Sequence, residues 1–128
     1  MKLLFSFCSL IVFTIAPTWA EMETNSDQFD GAIFSDLSKE AAAAKASTMA
    51  KQDFAGNNYR ILVAGKRPHN SAYDNLLEKK YGVTVTSIAG CVVTDGIIGT
   101  IDGYNSTMKP LLNRKFGHDI FKEAEEAR

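Results

Sequence analysis

The chain has 128 residues, 23% of them charged, and its 14 Lys and Arg against 15 Asp and Glu leave a formal net charge of −1. That length is enough for a leader and one domain. A balance this close to neutral lacks the basic face that nucleic acid requires, so no nucleic-acid partner is expected.

The first twenty residues read as a secretory signal peptide. Met1 and Lys2 give a short positive start, residues 3–16 are almost continuously apolar, and Thr18 and Ala20 supply the small residues of a cleavage site. The apolar run falls short of the roughly 20 residues that span a bilayer as a helix. The mature chain is therefore expected to begin at Glu21, to be exported (periplasmic or secreted), and to carry no integral membrane segment. Cys8 leaves with the leader, so Cys91 is the one cysteine that stays. Its apolar neighbours Ile88, Val92 and Val93 predict a buried small hydrophobe in the core, with an intermolecular bridge or a reactive thiol as the alternatives.

Residues 21–34 are polar and acidic and predict a flexible lead-in to a domain over 35–128. The first helix is expected over 35–53, capped by Ser35 or Asp36. Its Glu40-Ala-Ala-Ala-Ala-Lys45 run has very high helix propensity. Leu37, Ala41, Ala44 and Thr48 form its expected packing stripe, and Gly56-Asn57-Asn58 a turn. Residues 59–64 read as a strand covered on both faces, because Ile61 to Ala64 is continuously apolar and Gly65 bounds it. A helix over 71–80 follows, capped by Asn70 or Ser71, with Tyr73, Leu76 and Leu77 on its apolar face and Gly82 at its end. Residues 83–88 alternate Val and Thr as a second strand does. Strand, helix and strand within so few residues predict a parallel βαβ unit.

The third helix is expected from Thr94, with Ile97, Ile101, Tyr104, Met108 and Leu111 on an apolar stripe and Pro110 kinking or ending it. Gly96, Gly99 and Gly103 make a second stripe without side chains. Each costs a helix about 1 kcal/mol relative to Ala, so the stripe predicts close packing against the alanines of the first helix. After Gly117 comes a short last helix using Ile120, Phe121 and Ala124. The fold class is thus α/β: a small βαβ unit of two parallel strands packed with several helices. Two strands make a poor sheet alone, so a third strand from residues 29–34 or dimerisation through the exposed edge is expected to extend it.

Ligands gather beyond the carboxyl ends of parallel strands. That rule brings together the loop Gly65-Lys66-Arg67-Pro68-His69-Asn70-Ser71 and the loop from Ala89 to Asp95. Lys66, Arg67, Asn70, Ser71 and Thr94 are the candidate ligand-binding residues, because free N–H groups at helix starts beside cations favour a small anion. Cys91 as nucleophile with His69 as base is the candidate catalytic pair. No zinc spacing and no phosphate-binding P-loop occurs, and neither metal nor cofactor is expected. Asn105-Ser106-Thr107 matches a glycosylation sequon inside the third helix. Three functions fit these residues: a small exported binding or interaction module with an anion-accepting loop, a thiol-dependent enzyme using Cys91 and His69, and a structural homodimer.

Overall fold

The computed structural model describes residues 34–66 and 71–128. They form α1 (Lys39–Ala55), β1 (Arg60–Ala64), α2 (Ala72–Tyr81), β2 (Thr84–Ala89), α3 (Asp95–Phe116) and α4 (Ile120–Glu126). The two strands pair in parallel, as the βαβ reading requires. No described helix is long and apolar enough to cross a membrane. The leader, the lead-in up to residue 33 and the third strand expected from residues 29–33 lie outside the described residues.

Local chemistry sets the element ends. Ser38 caps α1 by accepting from Ala41 N at 3.3 Å, so the helix starts later than a Ser35 cap would place it. Ser71 caps α2 by accepting from Asp74 N at 3.1 Å. Gly82 ends that helix with φ +67°, a conformation that costs only glycine little. Thr94 caps α3 and Asp119 caps α4.

The glycine stripe packs as expected. Side chains added at Gly99 and Gly103 would lie 2.1 Å from the Lys39 carbonyl oxygen and 2.2 Å from that of Ala43. A side chain at Gly96 would lie 1.9 Å from the carbonyl oxygen of Phe34, a residue only 4% exposed. Backbone therefore meets backbone along the α1–α3 seam. Ser47 and Thr107 hydroxyls bond across it at 2.7 Å.

The stripe expected on α1 is out of phase. Ala42, Ala46 and Ala50 are fully buried, while Ala41, Ala44 and Thr48 are exposed. Four consecutive alanines carry no hydropathy contrast, so their phase is set by the partner helix. On α3 the buried positions are Ile97, Tyr104, Met108 and Leu112, with Ile101 and Leu111 half-buried. Pro110 neither ends nor breaks α3, which continues to Phe116. Pro110 and Ser106 both lie on the exposed side, where water can satisfy the carbonyl that loses its helical partner.

Leu62, Leu77, Val83, Tyr104, Met108, Leu112 and Ile120 are the large, fully buried centre of the core. Of the apolar run in β1, Ile61 and Leu62 are buried, whereas Val63 is half-buried and Ala64 exposed, so cover on both faces reaches only half the strand. The register runs from Arg60↔Thr84 to Val63↔Ser87 and then Ala64↔Ala89, which leaves Ile88 as an extra residue on β2. The other side of β1 meets α3. There the Asn105 side chain accepts from Leu62 N at 2.9 Å and donates to Leu62 O at 2.7 Å, the pair of bonds a neighbouring strand would make.

Candidate functional site

The carboxyl ends of β1 and β2 are tied together. Gly65 N donates to Ala89 O at 2.8 Å, and Ser87 Oγ donates to Gly65 O at 2.7 Å. Gly65 has φ +83°, so the chain leaves β1 in a left-handed turn with nothing within 4 Å of where a side chain would stand. This clamp sets Lys66 and the Gly90–Thr94 loop beside each other at one edge of the sheet.

Lys66 is exposed there. The Ser71 hydroxyl is half-buried and occupied as the cap of α2. Thr94 is occupied twice: its hydroxyl donates to Ser35 O at 3.0 Å and accepts from Ile97 N at 3.3 Å. Both residues therefore shape the edge through caps. Arg67, His69 and Asn70 lie outside the described residues, and with them the Cys91–His69 pair. Cys91 itself is a free, exposed thiol, which corrects the expectation, drawn from its apolar neighbours, of a core residue. The strand has ended at Ala89, and the loop that follows runs over the surface. Val92 and Val93 are 75% and 44% exposed, so apolar sequence here marks surface and not core.

Two further clusters join residues far apart in sequence. In the first, Glu123 on α4 accepts from Tyr81 Oη and pairs with Lys80 Nζ, both at the end of α2. His118 Nε2 lies 2.9 Å from both Glu123 Oε2 and Tyr81 Oη, and its Nδ1 lies 3.1 Å from Phe116 O. The Lys80 contact, then those from Tyr81 and His118, hold the Glu123 carboxyl down at about 2. Hydrogen bonding to Glu123 raises Lys80. Burial, then the bond to Glu123, raises Tyr81. In the second cluster, the fully buried Tyr104 donates to Asp53 Oδ2 at 2.5 Å, and Arg60 Nε lies 3.3 Å from the same oxygen. Burial first, then the Asp53 carboxylate, pushes the Tyr104 phenol far above its ordinary range. No spacing rule links residues so far apart, and in sequence only Tyr104 among them stands on an expected apolar helix face. Their geometry ties elements together: the first cluster fastens α4 to α2, and the second joins α1, β1 and α3.

Among the described residues, no group of three or more His, Cys, Asp or Glu side chains is gathered as metal ligands. The sequon nitrogen, Asn105 Nδ2, is engaged with Leu62 O, as described above. No family model, curated protein or solved structure matches the chain.

Proposed function

We propose that the protein is a small exported binding module that accepts an anionic group at the carboxyl edge of its sheet. Lys66, Arg67, Asn70 and Ser71 on one loop, with Thr94 on the other, form the contact region. The observation that supports this reading is the clamp of Gly65 to Ala89 and Ser87, which joins the chain just before Lys66 to the end of β2. Ser71 and Thr94 cap the helices that follow the two strands, and the N–H groups and positive dipole end of a helix start favour an anion. Lys66 is exposed at the end of β1, and cations beside helix starts favour phosphate, sulfate or a carboxylate. Export rests on the leader at residues 1–20.

Thermal unfolding with increasing phosphate or sulfate tests the reading. The midpoint should rise with either anion, and the rise should shrink in Lys66→Ala and vanish in Lys66→Ala/Arg67→Ala. A wild-type midpoint that no anion moves, at constant ionic strength, defeats it. A thiol-dependent enzyme is the second reading, favoured by the exposure of Cys91. Its test is alkylation by iodoacetamide, which should modify Cys91 faster than a free thiol and should slow in His69→Ala; a Cys91 no more reactive than free cysteine defeats it.

A further inference from the structure

The two edges of the sheet are treated differently. On β1 the outer groups of Leu62 are met by the Asn105 side chain. On β2 no strand lies beyond it among the described residues, and none of its residues is buried. Thr84–Ala89, with sequence Thr-Val-Thr-Ser-Ile-Ala, contains no charged residue and no proline, the usual guards of an exposed edge. Val85 and Ile88 are apolar and only half covered.

The direction of the outward groups follows from the register. Thr84 N donates to Tyr59 O at 3.0 Å, across the parallel pair. In a parallel ladder alternate residues turn their N–H and C=O to the same neighbour. Thr84 and Thr86 therefore face β1, and Val85 and Ser87 turn outward. Val83 is already bonded, through its N–H, to Leu77 O.

We propose that β2 pairs antiparallel with β2 of a second copy of this chain, around a two-fold axis at Thr86. In that register Val85 faces Ser87 of the other copy, and both outward-facing residues of each strand find hydrogen-bonding partners at once. Thr86 faces its own copy and Thr84 faces Ile88, so no like charges meet and the pairs suit a half-buried sheet surface. Centring the axis on Val85 would instead oppose Ser87 to Val83, whose N–H is taken, and would leave the outward carbonyl of Ser87 without a donor. The two-stranded sheet becomes a four-stranded one, the size at which a sheet is stable. Its ends are then the edges that Asn105 covers, which closes the assembly at two copies. This pairing is independent of anion binding at the carboxyl edge.

The test is sedimentation equilibrium of the purified protein from micromolar to about 1 mM, the range where small interfaces dissociate. A monomer–dimer equilibrium is expected, abolished by Val85→Pro, which removes an outward N–H, and by Thr86→Lys, which sets like charges opposite each other. The two variants act by different means, so loss of the dimer in both, with unfolding midpoints retained in at least one, is the supporting result. In a Cys91→Ser background of the mature chain, Thr86→Cys should cross-link to its own copy under oxidised glutathione, because Cα atoms of a facing non-hydrogen-bonded pair sit within disulfide reach. Val85→Cys should not cross-link. A monomer throughout overturns the proposal, as does a dimer that survives Thr86→Lys or links equally through position 85. Amides of Val85 and Ser87 that are protected from exchange at every concentration would place another segment of the same chain on this edge, and would overturn it too.

Discussion

Asn105 is the residue on which the sheet most depends, because one side chain takes the place of a strand. Leu62 is fully buried, and both its backbone groups end on the Asn105 amide. An alanine there would strand a buried donor and a buried acceptor together, at a cost of about 1–3 kcal/mol for each group left without a partner. Asn105→Ala should therefore lower the urea midpoint clearly, with the Leu62 amide losing protection first in hydrogen exchange. An unchanged midpoint would mean that water replaces the amide without loss. The side chain's role is invisible in sequence. Asn105 reads there as part of a sequon or as a polar residue on a helix, and only the approach of α3 to the outer side of β1 gives it a partner.

At the scale of elements, two junctions carry opposite kinds of chemistry. The α1–α3 seam is made of backbone, since carbonyls of Lys39 and Ala43 occupy the space where side chains at Gly99 and Gly103 would stand. Alanine is the better helix former by about 1 kcal/mol, so on propensity alone Gly99→Ala should stabilise. The backbone contact decides otherwise: the helices must separate, and overpacking of about 1–3 kcal/mol outweighs the gain. Gly99→Ala is expected to be less stable in urea, and a more stable variant would refute the close packing. This seam was legible from the spacing of three glycines, while the phase of α1 was not, because alanine follows alanine. The junction of α4 with α2 is polar instead. Glu123 is held at about 2, below its ordinary 4.5, so its contribution is present above about 4.5 and is lost as the pH falls towards 2. Glu123→Gln should unfold more easily than wild type near neutrality, with the difference closing across that acid window. A difference that stays constant down to pH 2 would assign the role to packing alone.

For the whole molecule, element order, strand direction and the caps at Ser71, Gly82 and Thr94 could be read from residue chemistry, since these residues act locally, whereas α1 is capped by Ser38 and not by Ser35 or Asp36. What could not be read is where surfaces end. The apolar Cys91-Val92-Val93 run looks like core and lies on the surface, because burial depends on a neighbour that the loop does not meet. Likewise Pro110 looks like a stop and sits mid-helix on the exposed side. Of the residues expected to bind a ligand, Ser71 and Thr94 spend their hydroxyls on capping, which residue type alone does not reveal. The guarded edge of β1 has a further consequence, in the chemistry of ageing. Deamidation of Asn105 would turn the nitrogen that donates to Leu62 O into a carboxylate oxygen, and donor and acceptor would become two acceptors face to face. An aged preparation should therefore unfold at lower urea than a fresh one, with a single amide group setting the clock.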